Sequence, residues 1–410
     1  MTGEPIGARR RRGSRRAAWL ASLAVCGGGA FAAIVVPDEA DAAAPATLDV
    51  DDEKERGAPA PGGVELLDSG TLPPLDAADR ATRLALDRGL AWLAERQRTT
   101  SDGALPALGS DRTKWAPVGV TALGALAFLA DGTTPRRGTY QAELDEMVNL
   151  LAGLADMGNG SPERGFIARQ GDRVSRTHGH GYATLVLAQA YGMSGRNARL
   201  GQVLEAAVRR IEDSQGAEGG WGYLPTIEAF HEGSVTIAHV QALRAARNVG
   251  IDVDDAVIRR ADAYVRLLQK EDGTFRYTLD DERSSIALTA AAVGTLNATG
   301  TYDDPAIQSA IDAIFRGIDR QRVDGQHSRS ALFEEEDYPF YMRLYLSQAL
   351  WQLSDPQPFE RWWAEERKEI VRTQRADGSW GGSPFGDCYA TAVNCLALAV
   401  PDGVLPIFQR

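Results

Sequence analysis

The chain has 410 residues, of which 44% are hydrophobic and 24% charged, and this composition is typical of a globular protein with enough apolar material for a core. Its formal net charge of −12 argues against nucleic acid as a partner, because an acidic surface repels phosphate backbones. The sequence has no glycine-rich phosphate loop, no serine nucleophile elbow and no His-Glu-x-x-His motif. No cofactor is therefore predicted.

Residues 1–42 have the layout of an export signal. Six arginines within the first 16 residues precede an uncharged apolar run from Ala17 to Val36, and Ala40-Asp41-Ala42 is a candidate cleavage site. An uncleaved membrane anchor is the alternative, since about 20 apolar residues can span a bilayer. We expect an exported protein that is either periplasmic or anchored to the outer face of the inner membrane.

Residues 43–75 are rich in proline, glycine and acidic residues and lack hydrophobic periodicity, which predicts a disordered linker. One motif then recurs along residues 76–410. Its clearest copies are Gln215…Gly219-Gly220-Trp221, Gln269…Asp272-Gly273-Thr274-Phe275 and Gln374…Asp377-Gly378-Ser379-Trp380. Weaker copies follow Gln97, end at Phe166 and follow Gln321. The spacing gives six units of about 53 residues, and a fixed period of this length is typical of repeat architectures.

Each unit has the same order of predicted helices. An amphipathic helix precedes the motif, and a helix that is apolar nearly all round follows it. The apolar helices are predicted at Gly119–Ala130, Gly181–Tyr191, Ser234–Val249, Ser284–Thr299, Tyr341–Leu353 and Tyr389–Val400. Glycines predicted to stop helices in a left-handed conformation are Gly132, Gly192, Gly250 and Gly300. A helix without a polar face must be surrounded by protein, so we predict an all-α fold, an α/α toroid with apolar inner helices within an amphipathic outer ring.

The repeat resembles that of the terpenoid cyclase and protein prenyltransferase superfamily, whose units carry a Gln…Asp-Gly-x-Trp loop between an outer and an inner helix. Three further segments resemble squalene-cyclase-like bacterial repeat proteins, namely Gly179–Thr184, Ala242–Gly250 and Leu405–Arg410. The resemblance implies an active site in the central cavity, where the inner helices begin. We expect the motif glutamine to bond free amides of the next helix.

The catalytic motifs of that superfamily are absent from the matching positions. The cyclase Asp-x-Asp-Asp string occurs at Asp49–Asp52, in the linker, and at Asp252–Asp255, where it opens an outer helix and is predicted to cap it. The prenyltransferase zinc site needs an aspartate and a cysteine two positions later, whereas Asp387 and Cys388 are adjacent. No metal site is therefore predicted.

Four residues are candidate catalytic groups because they precede or open inner helices. Asp280 and Asp281 precede the helix at Ser284–Thr299, and Asp387 precedes that at Tyr389–Val400; capping of these helices is the alternative. His180 lies in the His178-Gly179-His180-Gly181-Tyr182 string and is a candidate acid–base group. A histidine that bonds loop carbonyls between repeats is the alternative for His180.

Several aromatic and polar residues are predicted near the mouth of the cavity. They are Tyr182, Tyr223, His231, Tyr277, Tyr341 and Arg343, together with Glu232 and Tyr338. Aromatic faces stabilise cations, and aromatic side chains that merely fill the ring are the alternative.

Two functions follow as hypotheses. The first is an isoprenoid-handling protein, cyclase- or transferase-like, that binds or transforms a lipophilic small molecule in the central cavity. The second is a non-catalytic toroid that binds a polypeptide, glycan or lipid in the cell envelope. A sugar-active enzyme with paired carboxylates is a third class, against which the Gln…Asp-Gly-x-Trp repeat argues.

Overall fold

The computed structural model of the protein describes residues 77–107, 112–323 and 338–409. The export signal or anchor at 1–42, the linker at 43–75, the Asp49–Asp52 string and Asp324-Gly325 of the Gln321 motif lie outside these ranges. Across the part of the chain that is described, no helix combines the length and the apolar character needed to cross a membrane.

Within those ranges the chain folds into twelve α-helices that alternate between two positions. The outer helices are α1 (Ala77–Gln97), α3 (Gln141–Gly153), α5 (Ala198–Asp213), α7 (Asp255–Leu267), α9 (Pro305–Val323) and α11 (Gln357–Thr373). The inner helices are α2 (Pro117–Ala130), α4 (Arg176–Met193), α6 (Gly233–Asn248), α8 (Ile286–Ala298), α10 (Pro339–Trp351) and α12 (Asp387–Ala399).

The inner helices form a closed ring. Each packs against the next in the order α2, α4, α6, α8, α10, α12, and α12 packs back against α2. In α2 every residue except Gly119 is buried, whereas the outer helix α7 buries only Val257, Ala261, Tyr264 and Val265. The difference in burial follows from the sequences, because α2 has no polar face and α7 has one. The predicted α/α toroid of six helix hairpins is confirmed.

The structure also contains a short β-hairpin that the sequence analysis did not predict. Strands β1 (Arg276–Thr278) and β2 (Asp281–Ser284) pair antiparallel in the loop between α7 and α8. Phe275, Tyr277 and Thr278 are residue types that favour strands, and the loop is long enough to fold back on itself. As a result α8 begins at Ile286, and its cap is Ser285, whose side chain accepts a hydrogen bond from the Leu288 N–H.

The inner helices begin and end within two residues of the predicted positions, except that α4 begins at Arg176, five residues before the predicted Gly181. Gly132, Gly250 and Gly300 have φ values of +87°, +87° and +95°, as left-handed helix stops require. The prediction for Gly192 is wrong, because α4 continues to Met193 and the left-handed glycine is Gly195, with φ +78°. The Asp252–Asp255 string caps α7 as predicted, since the Asp254 side chain accepts from the Ala256 N–H at 2.7 Å.

The motif glycines hold neighbouring repeats together. Five of them have positive φ, and a Cβ atom at each would press on the main chain of the next outer helix around the ring. The pairs are Gly103 with Glu146, Gly165 with Ala206, Gly219 with Arg260, Gly273 with Ser309 and, across the closure, Gly378 with Arg88. Glycine is therefore required at these positions for its conformation and for the space it leaves.

The motif glutamines reinforce the same contacts. The Gln215 amide donates to the carbonyls of Gly219 and Val257, both at 2.8 Å, and the Gln374 amide donates to those of Gly378 at 2.9 Å and Ala85 at 2.8 Å. The amide therefore donates to carbonyls, whereas the sequence analysis expected the glutamine to bond free amides.

Closure of the ring through Gly378 can be measured with a matched pair of glycine substitutions. Gly378 and Gly382 have φ values of +95° and +93°, but a Cβ at Gly378 would lie 2.7 Å from the Arg88 carbonyl oxygen, whereas a Cβ at Gly382 would meet nothing within 4 Å. Both Gly→Ala changes share a left-handed strain of about 1 kcal/mol, and we expect Gly378→Ala to cost about 1–3 kcal/mol more.

The measurement is the free energy of unfolding from denaturant titration. Equal losses in the two variants would show that the Gly378 contact does not hold the last repeat to the first.

Candidate functional site

All six inner helices begin at one face of the ring, and their first turns bring a group of polar and aromatic side chains together. We call this group the central cluster and define it as His178 and Tyr182 on α4, Glu232 and Ser234 at the start of α6, Tyr341 and Tyr345 on α10, and Tyr389 on α12. His178 with Tyr182, and Tyr341 with Tyr345, are spaced four residues apart, which places each pair on one face of its helix.

Two tyrosines close the ring below the mouth. Helices α4 and α10 are opposite each other in the ring, yet the hydroxyls of Tyr182 and Tyr345 lie 3.0 Å apart and form a hydrogen bond. Tyr345 is fully buried and Tyr182 is 8% exposed. Deeper in the ring, the Gln241 amide of α6 donates to the Gln348 side chain of α10 at 2.7 Å. Side chains of opposite helices therefore meet across the ring nearly two helical turns from the starts of α4 and α10.

Glu232 is the acidic member of the central cluster. It is fully buried and occupies the N-cap of α6, where its carboxylate accepts from the N–H groups of Ser234 at 3.2 Å and Val235 at 3.0 Å. Burial raises the pKa of Glu232 to about 7, although these hydrogen bonds act in the opposite direction. A carboxyl group with this pKa exchanges a proton near neutral pH.

His178 connects this carboxyl group to the mouth. Its Nε2 lies 2.8 Å from the Ser234 hydroxyl and 3.5 Å from Oε1 of Glu232, and the Ser234 hydroxyl lies 2.5 Å from the same carboxylate oxygen. The His178 side chain remains 24% exposed. Burial nevertheless lowers the pKa of His178 to about 4, so the ring is neutral at physiological pH. The three groups form a hydrogen-bonded chain from a partly exposed imidazole to a buried acid.

The tyrosines around this chain stay protonated. Burial is the main cause that raises the pKa of Tyr182, Tyr341 and Tyr345, and the neighbouring phenols and Glu232 raise it further. The rings of Tyr341 and Tyr345 lie 4.6 Å apart with an interplanar angle of 58°. The wall of the central cluster is thus made of neutral phenols that present differently oriented rings.

An aromatic rim continues the central cluster toward solvent. We define the aromatic rim as Tyr223, Phe230, Tyr277 and Tyr338. Tyr223 stacks on Phe230 at 5.6 Å between ring centroids, lies 6.0 Å from the His178 ring and shares a hydroxyl–hydroxyl hydrogen bond with Tyr277. Phe230 is 43% and Tyr338 38% exposed, and the same loop as Phe230 exposes Leu224 and Ile227 at 47% and 69%. Apolar side chains are therefore accessible next to the polar central cluster.

The candidate His180 has a defined place in the fold. Its Nδ1 accepts a hydrogen bond from the Ile167 N–H at 3.1 Å. In four other repeats, a threonine hydroxyl at the corresponding position of the inner helix accepts the equivalent loop N–H: Thr121, Thr236, Thr289 and Thr391. His180 is 1% exposed, and burial lowers its pKa to about 3. His180 therefore anchors a motif loop to its inner helix. It accepts from a loop N–H, whereas the alternative interpretation of His180 had it bonding loop carbonyls.

The three candidate aspartates lie apart from the central cluster and do not form a pair. Asp280 is exposed at the turn of the β-hairpin, because the hairpin separates it from α8. Asp281 pairs with Arg283, whose hydrogen bond lowers the pKa of this carboxyl. Asp387 is the first residue of α12, is 44% exposed and lies 2.5 Å from Arg375. The hydrogen bond from Arg283 favours the ionised form of Asp281, so this carboxyl is a poor proton donor.

Two residues predicted at the cavity mouth, His231 and Arg343, have other partners. His231 is held between the Glu218 carboxylate at 2.8 Å and the Glu228 carbonyl at 2.7 Å. Arg343 forms a buried ion pair with Glu366 at 2.6 Å. Arg343 is two positions from Tyr341, which turns its side chain by about 200° to the far side of α10.

Metal binding finds no support in the part of the chain that is described. No group of three histidine, cysteine, aspartate or glutamate side chains there could hold an ion. Burial, with a smaller contribution from Asp387, raises the pKa of the Cys388 thiol to about 12, which keeps it neutral.

The chain matches known proteins in its fold but not in its sequence. No protein-family model matches the chain, and no curated protein matches it. Among solved structures, the type II terpene cyclase MstE from Scytonema in complex with its substrate is similar over 79% of this chain and 98% of that one, with 18% identity and a TM-score of 0.52. Cellobiose 2-epimerase from Bacillus thermoamylovorans is similar over 78% and 98%, with 14% identity and a TM-score of 0.57. These likenesses show a shared α/α toroid fold.

The protonation of Glu232 can be read from stability as a function of pH. In the folded protein the pKa of Glu232 is about 7, above the ordinary value of 4.5. Protonation of Glu232 therefore contributes its full stabilisation of the fold below pH 4.5, and this contribution is lost as the pH rises through 7. Glu232→Gln cannot titrate. Relative to wild type, we expect it to gain on the order of 1 kcal/mol of unfolding free energy per pH unit from about pH 5 to 7, then level off.

Denaturant titrations at several pH values provide the measurement, with Glu360→Gln on the exposed face of α11 as control. A difference between Glu232→Gln and wild type that stays constant with pH would show that Glu232 has an ordinary pKa.

Proposed function

We propose that the protein binds an amphiphilic, isoprenoid-like small molecule at the mouth of the toroid, outside the cytoplasm, and acts as a binding protein. The single observation that carries the proposal is the exposed aromatic rim beside the polar central cluster. The export segment predicted at 1–42 supports the location.

The exposed part of the rim favours an apolar ligand. Phe230, Leu224 and Ile227 come from one loop and are each more than 40% exposed. Contiguous accessible apolar surface of this kind marks a binding site for an apolar group. Aromatic faces at the rim, such as the stacked pair Tyr223 and Phe230, suit the flat unsaturated units of an isoprenoid chain.

The polar interior favours a ligand with a small polar head. His178 and the hydroxyls of the central cluster offer hydrogen-bonding groups directly below the rim. MstE, which shares the fold, was solved in complex with geranylgeranyl dihydroxybenzoate, a molecule with an isoprenoid chain and a polar aromatic head. In this protein the apolar rim lies outside the polar central cluster, and this arrangement supports a ligand with an apolar chain and a polar head.

Two observations favour binding over cyclisation. The Tyr182–Tyr345 hydrogen bond at 3.0 Å crosses the ring, so a long chain inside the ring would have to break it. The three candidate aspartates are engaged with arginine or exposed, and none belongs to the central cluster. A ligand would accordingly lie with its chain along the aromatic rim.

The proposal is tested by calorimetric titration of the full-length protein with geranylgeraniol. We expect binding of the unmodified alcohol, and a loss of about tenfold in affinity for Phe230→Ala, since burying an aromatic side chain contributes about 1–3 kcal/mol. The matched control is Leu267→Ala, which removes a side chain that is 57% exposed on the outer helix α7.

Mass analysis of the recovered ligand completes the test. Recovery of a cyclised product would replace the binding role by catalysis. Absence of binding, or equal losses in the two variants, would refute a ligand site at the rim and leave an envelope polypeptide as the candidate partner.

A further inference from the structure

We propose that the central cluster recognises a positively charged head group, of the alkylammonium class, with the carboxylate of Glu232 as its counter-charge and the tyrosine rings as its walls. This inference rests on the proposed function, since it assigns the head group of the amphiphile that the aromatic rim would hold.

Four tyrosine rings from three helices converge in the central cluster. Tyr182 reaches in from α4 and meets Tyr345 from the opposite helix, and Tyr341 packs against Tyr345 at a steep angle. Tyr389 on α12 supplies a fourth ring, supported by Phe385 at 5.2 Å and Phe340 at 6.1 Å between centroids. Phenol rings contributed by several helices can bind an ammonium group through the negative potential of their faces.

The charges around the central cluster also favour a cationic ligand. The hydrogen-bond partners of the Glu232 carboxylate in the described structure are neutral: the Ser234 hydroxyl and the N–H groups of Ser234 and Val235. Two arginines of the described structure that lie on or beside elements of the site are paired with other acids, Arg343 with Glu366 and Arg283 with Asp281. An ionised Glu232 would thus be a buried negative charge that a ligand cation can compensate.

The hydrogen-bonded chain gives the displaced proton a route to solvent. When a cation favours ionisation of Glu232, the carboxyl proton passes to the Ser234 oxygen, the Ser234 hydroxyl proton passes to Nε2 of His178, and the imidazole releases a proton from its other nitrogen. The distances along this chain are 2.5 Å and 2.8 Å. One proton leaves the protein for each cation bound below the pKa of Glu232, and charge is conserved.

Other titratable groups around Glu232 hold their charge in the relevant range. They are His178 and Tyr182 on α4, Tyr264 on α7, Tyr277 on β1, Tyr341 and Tyr345 on α10, and Tyr389 on α12. His231, which precedes Glu232 in the chain, is paired with the Glu218 carboxylate. Burial raises the pKa of each of these tyrosines, and it lowers the pKa of His178 to about 4. Between pH 5.5 and 8 the phenols and the His178 imidazole stay neutral, so Glu232 alone among these groups controls the pH dependence of cation binding.

The test compares octyltrimethylammonium with octanol, below the micelle concentration, by calorimetry of the full-length protein at pH 5.5 and 8. We expect the cation to bind at least tenfold more tightly than octanol at pH 8, and to lose about tenfold in affinity at pH 5.5 while octanol binding is unchanged. Repeating the titration in buffers of different ionisation enthalpy should show proton release on cation binding at pH 6.5 and none with octanol.

Variants separate the two contributions to cation binding. Glu232→Gln should abolish the pH dependence and most of the preference for the cation, whereas Glu218→Gln, which removes a 48% exposed carboxylate that pairs with His231, should change neither. Tyr341→Leu should weaken cation binding about tenfold and Tyr341→Phe, which keeps the ring, less than threefold. If Glu232→Gln does not fold, the two Tyr341 variants and the proton release measured with wild type still test the cation site.

The outcomes distinguish this inference from the proposed function. Equal affinities for the cation and octanol would overturn the head-group assignment and leave the apolar site standing. Binding of neither molecule would overturn both. A cation preference that survives in Glu232→Gln would show that the buried carboxylate is not the counter-charge.

Discussion

The architecture depends on one steric constraint, the close approach of each motif glycine to the main chain of the next outer helix. Gly219 on Arg260 and Gly378 on Arg88 are equivalent contacts, although the second joins the end of the domain to its beginning. A side chain at either position would collide with backbone, which cannot move aside as a flexible side chain can. The same local geometry, repeated around the ring, therefore fixes the angle between repeats and closes the toroid.

Closure determines where chemistry can occur. Once the six inner helices form a ring, their first turns converge on one face, and residues at the start of α4, α6, α10 and α12 meet although they are far apart in sequence. The hydrogen bond between Tyr182 and Tyr345 joins residues that are 163 positions apart. The same convergence buries Glu232 and raises its pKa. The fold thus produces a polar, aromatic site from side chains that no local motif unites.

The repeat made the fold predictable, whereas the site was predictable only in part. The period of the motif and the contrast between apolar and amphipathic helices were sufficient for the toroid, because both follow from burial. Glu232 was placed near the mouth but not recognised as its acid, since only the structure shows that no arginine faces it among the described residues. Asp280 and Asp281 were predicted as catalytic candidates because α8 was expected to begin directly after them. The β-hairpin occupies this position instead, and α8 begins at Ile286. Arg343 shows a further limit, because one helical position decides whether a side chain faces the axis or a neighbouring helix.

The distribution of buried polar groups separates structural from functional positions. His180 occupies a place that threonines fill in other repeats, and the Arg343–Glu366 pair compensates its own charges, so both are accounted for by the fold. The chain His178–Ser234–Glu232 has no counterpart at the N-caps of the other inner helices, of which α8 uses Ser285 and α12 uses Gly386. A serine would cap α6 without burying an ionisable group. Since such a group costs stability as pH rises, its presence beside an exposed aromatic rim is better explained by a ligand than by the requirements of the ring.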